Sequence, residues 1–156
     1  MLAICGGYQM LGQYYLDADG NKIAGINAMP HYTVNGDERF IGDVILHNAD
    51  FDEKYVGFEN HGGRTYLGEG QKPLARVEKG RGNNGEDGTE GSIYKNTYCS
   101  YLHGALLANN AELTDRLLLT ALQRKYPEVK ELPPFASKFQ QTAKAERLVG
   151  RDATDK

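Results

Sequence analysis

Residues 2–11 read LAICGGYQML: a short apolar run, a cysteine, two glycines, and then helical spacing. That order constrains the fold more than any other stretch. An apolar run broken at once by Gly-Gly and resumed as a helix describes a strand that turns sharply into a helix. Such a turn crowds its own backbone, so small residues belong around it. Ala3 lies two residues before Cys5, Gly6 follows it, and Gly7 lies two after. The side chain at the apex then stands clear of the sheet edge, exposed yet rigid. A thiol at that point is a chemical device. The free N–H groups and positive end of the helix lie beside the sulfur and favour the thiolate. The Gly6 N–H can also meet an oxyanion as it forms on an attacked carbonyl. The plainer alternative is that Cys5 is a small buried residue closing a strand.

A nucleophilic thiolate needs a proton shuttle. The chain has four histidines: His31, His47, His61 and His103. None stands at metal-ligand spacing from another or from a cysteine, so the pattern does not indicate a zinc site. His103 is the best candidate base. It ends the run TYCSYLH and is followed by Gly104 and a loop into a long helical segment. In an α/β sheet the strand C-termini share one edge, where sites gather. Cys5 and His103 are expected to meet there. The alternative for His103 is a strand-end histidine that only caps a loop. His61, within ENHGGR, reads as a turn or supporting residue.

The remaining segments follow from periodicity. Tyr8 to Tyr15 keep helical spacing, and residues 17–21 (DADGN) form a turn. Residues 38–46 alternate as a strand with both faces partly covered, and 55–59, 74–77, 92–94 and 97–102 read as further strands. Residues 79–91, KGRGNNGEDGTEG, lack the order of a phosphate loop and read as a mobile hairpin tip. Asn109, with Glu112 three residues on, caps a helix running to about Tyr126, where Pro127 stops it. Pro133-Pro134 is a linker, and 135–149 form a terminal amphipathic helix. One domain is expected over 1–150, with 151–156 a frayed tail.

Composition narrows the function classes. The 156 residues suffice for a sizeable core, at 40% hydrophobic and 25% charged. A net charge of −3 without blocks of like charge makes no electrostatic case for nucleic acid or an anionic membrane. Cys5 and Cys99 are too few for a disulfide framework. No apolar stretch approaches the ~18 residues of a membrane span, and the opening residues are not expected to be a signal peptide. The expectation is a cytoplasmic protein.

Three stretches in order, ICGGYQMLG, GFENHGGRTYLG and YLHGALLANNAELTDRLL, resemble the class I glutamine amidotransferases of the cobyric acid synthase type. Within that group the chain is most similar to the GatD-type glutaminase subunits of lipid II isoglutaminyl synthase. The resemblance covers nearly the whole chain. It implies an α/β fold, a flavodoxin-like three-layer amidotransferase domain. It implies that Cys5 attacks the side-chain amide of glutamine, giving a glutamyl thioester, and that His103 protonates the leaving ammonia and then activates water. Gly6 supplies one oxyanion donor. The resemblance further implies that Gln9, one helical turn beyond Cys5, contacts the substrate, and that Arg39, in GDERFIGD, holds the substrate glutamine, a role that suits a guanidinium gripping a carboxylate. The alternative for Arg39 is a solvated strand-edge charge. Many relatives have a Glu two residues after the histidine; here that residue is Ala105, which implies a Cys–His dyad.

The same resemblance implies no cofactor in this chain. Ammonia would pass to a Mur-ligase-like synthetase of the MurT type, which uses ATP and a metal to amidate the α-carboxylate of D-glutamate in lipid II. In the family several strand–helix units precede the nucleophile strand, so the chain is expected to be N-terminally truncated. The elbow strand would then have an open edge, a second oxyanion donor would be missing, and the isolated chain would be weakly active. Two alternatives stand beside this reading. One is a cobyric acid synthase-like amidotransferase domain. The other is a non-catalytic truncated module that keeps the partner-binding surface.

Overall fold

A computed structural model describes residues 1–133 and 137–149. The span read as one domain comprises two compact units, Met1–Gly104 and a second that begins at Ala105. The first holds β1 (Leu2–Ile4), α1 (Gly6–Leu11), β2 (Tyr14–Leu16), β3 (Lys22–Ala24), β4 (Tyr32–Asn48) and β5 (Glu53–Tyr66). It continues with β6 (Ala75–Lys79), β7 (Thr89–Glu90), β8 (Ser92–Tyr94), β9 (Thr97–Ser100) and β10 (Leu102–His103). The second holds α2 (Leu106–Asn109), α3 (Ala111–Gln123) and α4 (Lys138–Val149).

Two sheets build the first unit. A three-stranded sheet has the order β1-β9-β8, with β1 parallel to β9 and β8 antiparallel to it. The parallel pair with α1 leaving it is the strand-to-helix turn read from the sequence. Among the described residues β1 pairs with β9 alone and forms a sheet edge. The larger sheet has the path β10-β5-β4-β2-β3, with β6 joining β4 and β7 joining β6. Its spine is the β4–β5 ribbon, whose register shifts between Asn35 and Phe40. In β4, Phe40, Val44 and Leu46 are buried, while the intervening Ile41 is 61% exposed. One face of this strand is buried, and the other is partly covered only toward its end, at the half-buried Ile45 and His47. Ala3, Tyr8, Leu11, Met29, Cys99 and Tyr101 form the core beside α1.

Three local readings change in the structure. The helix ends at Leu11, not Tyr15, which lies in β2. An incoming segment takes the carbonyls at its end: Ile26 N donates to Met10 O, Ala28 N and Met29 N to Leu11 O, and Asn27 N to Gly12 O. A Cβ on Gly12 would lie 2.5 Å from His31 Cδ2, so this close approach needs glycine. Second, HGGR is strand, not turn: His61 pairs with Phe40, and Gly63 to Tyr66 pair with Asn35 back to Tyr32. Third, residues 80–91 are no mobile tip. The Glu59 carboxylate accepts from Arg81 N at 2.9 Å and Gly82 N at 3.0 Å. Asn83 and Asn84 are buried, and Asn84 Oδ1 accepts from Glu86 N and Asp87 N. Side chains of β5 and of the loop itself thus satisfy the backbone donors here.

In the second unit the residue before α3 is Asn110, not Asn109, and its amide turns back to Leu106 O at 2.7 Å. Helix α3 ends at Gln123, although Tyr126 N still bonds Leu122 O at 2.8 Å, close to the expected stop before Pro127. Lys144 pairs with Glu112 at 2.9 Å, tying α4 to α3. The expected start of the last helix at Phe135 and the frayed tail at 151–156 lie outside the described residues. No described helix is long and apolar enough to cross a membrane.

Candidate functional site

Cys5 sits between β1 and α1 with φ 52° and ψ −111°, a conformation that side-chain-bearing residues avoid. Two bonds hold it there. Cys5 N donates to Ser100 O at 2.9 Å, and Gln9 N donates to Cys5 O at 3.0 Å. The strain lies in the cysteine's own dihedrals and not in crowding around it. A Cβ on Gly6 would meet nothing within 4 Å, and one on Gly7 only Ala3 Cβ at 3.8 Å. Gly6 is exposed and opens the helix ahead of its first i→i−4 bond, so its N–H lies outside the helical ladder. Cys5 is a half-buried free thiol.

His103 lies in β10 of the larger sheet, just beyond the end of β9. β9 runs parallel to β1, with Ala3 opposite Cys99 and Ile4 opposite Ser100. The chain then continues through Tyr101 into β10, where His103 pairs with Phe58 of β5. Cys5 and His103 therefore follow the C-terminal ends of neighbouring parallel strands. His103 Nε2 is buried and has no hydrogen-bond partner, so no bond to the Cys5 thiol closes through that atom.

Gln9 Nε2 donates to Tyr101 Oη at 3.1 Å; Tyr101 Oη pairs with Thr65 Oγ1 at 2.6 Å, and Thr65 Oγ1 with Thr33 Oγ1 at 2.8 Å. Burial pushes the Tyr101 phenol up to about 12, so it stays protonated. Gly6 and Gln9 line a cavity of about 320 Å³ with Met10, Tyr15, Ile23 and Ile26. Cys5, His103 and Arg39 do not line it. Arg39 is exposed on β4, and Asn60 Oδ1 accepts from its Nε at 3.2 Å and its Nη2 at 2.7 Å. This guanidinium is a solvent-exposed strand charge held by a neighbour.

His61 is the residue whose place the sequence reading missed. It is 2% exposed, and its ring stacks on Tyr101 with centroids 3.7 Å apart. Burial lowers its pKa to about 4, and the charges of Arg64, His103 and Arg39 act in the same direction. The ring is therefore neutral near pH 7. Its Nδ1 lies 2.8 Å from Gly63 O, which assigns the proton to Nδ1 and leaves the buried Nε2 an acceptor without a partner. The signal was present in the period-2 alternation of Glu59, His61, Gly63 and Thr65, all buried. The double glycine concealed it. Gly63 is needed because a Cβ there would lie 2.5 Å from Gln9 Nε2 and 2.7 Å from Thr33 Cγ2. Among the described residues no group of three or more His, Cys, Asp and Glu is placed to hold a metal ion.

The CobB/CobQ-like glutamine amidotransferase domain family matches residues 1–111. The chain is 54% identical over 136 residues to the GatD subunit of lipid II isoglutaminyl synthase (glutamine-hydrolyzing) from Streptococcus pneumoniae, a match covering 86% of this chain and 52% of that protein. With the Staphylococcus aureus subunit of the same name it shares 47% identity over 124 residues, 80% of this chain and 50% of that one. With cobyric acid synthase of Listeria monocytogenes it shares 33% over 139 residues, 81% of this chain and 26% of that protein. The chain thus spans about half the length of the two GatD subunits.

Proposed function

The chain belongs to the CobB/CobQ-like glutamine amidotransferase family, and from that premise we propose that it carries the glutaminase site of a lipid II isoglutaminyl synthase. The α/β amidotransferase fold class comes with the membership. The observation that carries the site is the strained Cys5 backbone, bonded to Ser100 on the strand that leads to His103.

The chemistry follows from the groups present. The Cys5 thiolate attacks the side-chain amide carbon of glutamine, and the carbonyl oxygen becomes an oxyanion met by the Gly6 N–H. Protonated His103 gives its proton to the amide nitrogen, the C–N bond breaks, and ammonia leaves a glutamyl thioester. Neutral His103 then takes a proton from water, the hydroxide adds to the thioester carbon, and glutamate departs as the thiolate is restored. The Cys5–His103 bond is one that forms with substrate in place, since catalytic hydrogen bonds often tighten only when substrate arrives. Gln9, steadied by Tyr101, contacts the substrate. Arg39, steadied by Asn60, receives its carboxylate.

Ammonia passes to a Mur-ligase-like synthetase of the MurT type, which supplies ATP and metal and amidates the D-glutamate of lipid II. Identities of 54% and 47% to GatD subunits, against 33% to a cobyric acid synthase, support lipid II over a cobyrinate-type acceptor.

The test uses the complex of this protein with its synthetase. Ammonia release from glutamine is expected to fall to background in Cys5→Ala and in His103→Ala. A glutamine-mimicking electrophile is expected to add one adduct at Cys5, read by intact mass. Release unchanged in either variant, or no adduct in a complex that assembles, overturns the proposal.

A further inference from the structure

Glu90 lies in β7, is 1% exposed, and has no part in the reaction just described. Its carboxylate accepts from Tyr101 N at 2.6 Å and from Ser100 Oγ at 3.2 Å to each oxygen. Ser100 Oγ in turn accepts from Leu102 N at 2.9 Å. These bonds fall where the chain leaves β9 and enters β10, and Tyr101 belongs to neither strand. The carboxylate and the hydroxyl thus satisfy backbone donors at a break between two sheets.

The residues at that break are also those on which the candidate site hangs. Ser100 O receives Cys5 N at 2.9 Å. Tyr101 Oη receives Gln9 Nε2 at 3.1 Å. His103 follows directly on Leu102. We propose that Glu90 is a positioning residue, a buried splint that sets Cys5, Gln9 and His103 relative to one another through Ser100 and Tyr101. The inference rests on the glutaminase reading of the site. The chemistry suits the task. A buried carboxylate is costly unless its lone pairs are filled, and here a backbone N–H and a hydroxyl fill them, so the arrangement is stiff. An apolar side chain would fill the volume but leave Tyr101 N without an acceptor.

The experiment compares Glu90→Leu, which removes both bonds, with Glu90→Gln, which keeps an acceptor for Tyr101 N. Covalent labelling of Cys5 by a diazoketone analogue of glutamine is split into its binding constant and its maximal rate, per folded protein. Exchange of the Tyr101 amide hydrogen is followed alongside. Glu90→Leu is expected to lower the maximal rate by ~10²-fold with little change in the binding constant, the scale of a small misplacement of reacting groups. Glu90→Gln should restore most of that rate, and Tyr101 exchange should accelerate in the leucine variant. If Glu90→Leu does not fold, Ser100→Ala, which removes the hydroxyl's bonds to Glu90 and from Leu102 N but keeps Tyr101 N on Glu90, gives the same comparison with a smaller loss. An unchanged maximal rate, or a glutamine variant no better than the leucine one, overturns the positioning role. Failure of the wild-type protein to label overturns the glutaminase reading. Tyr101 exchange in Glu90→Leu tells the two failures apart, because it reports the splint whether or not the thiol reacts.

Discussion

At Gly63 a single hydrogen atom decides whether Gln9 can reach Tyr101. A Cβ there would crowd Gln9 Nε2 at 2.5 Å, and behind it stands Thr33, fully buried and unable to yield. Gly63→Ala is therefore expected to push Gln9 off its bond and to cost about 1–3 kcal/mol, the usual range for overpacking. Glutamine-analogue binding to the protein should weaken with it. Gly42 is the control, because a Cβ there would meet nothing within 4 Å. Equal binding and stability in the two alanine variants would show that the contact carries nothing. The backbone setting of Cys5 and Gln9 was legible because it is local: a strand, a turn and one helical turn in consecutive residues. His61 was not, because its inward position is fixed by pairing with Phe40 on another strand.

The loop of residues 80–91 shows at element scale how composition misleads. Glycines and charges read as solvent-loving, yet Asn83 is fully buried. Its amide donates to Thr89 Oγ1 at 3.1 Å and Gly91 O at 2.9 Å, and its carbonyl accepts from Gly91 N at 2.9 Å. Gly91 has a φ of +63°, and a Cβ on it would run into Cys99 O, so the glycine serves packing rather than mobility. Asn83→Ala is expected to destabilise the protein by about 2–4 kcal/mol, because it strands several buried backbone groups at once. Urea unfolding measures this. A shift under about 0.5 kcal/mol, as at an ordinary surface position, would return the loop to the mobile reading. The helix after Cys5 teaches the same lesson in reverse: its periodicity continued to Tyr15, but tertiary bonds to Met10 O and Leu11 O ended it earlier.

Over the whole molecule, two buried groups pull stability in opposite directions with pH. His61 falls from 6.5 to about 4 through burial, so its contribution is present above pH 6.5 and lost as pH falls toward 4. Glu90 rises from 4.5 to about 7, also through burial first, so its contribution is present below pH 4.5 and lost as pH rises toward 7. Each shift corresponds to about 3 kcal/mol at full extent. Glu59, raised by burial as well, adds to the Glu90 side. Between roughly pH 4.5 and 6.5 the two slopes partly cancel in the wild-type protein. His61→Phe should lose stability as pH rises through that window, and Glu90→Gln should lose it as pH falls. Denaturant unfolding at both ends of the window measures the slopes, and wild-type slopes in both variants would refute the opposition. By itself the sequence determined the strand–cysteine–helix turn, the order of the motifs that place the chain in its family, and the chemical types available for the site. Those features are written in neighbouring residues. Only the tertiary structure decided that His61 faces inward, that a glycine-rich loop is buried, and that Glu90 braces the strand leading to His103. Each depends on groups brought together by sheet pairing and burial, and no local pattern of side chains encodes which backbone donors a fold will leave in need of a partner.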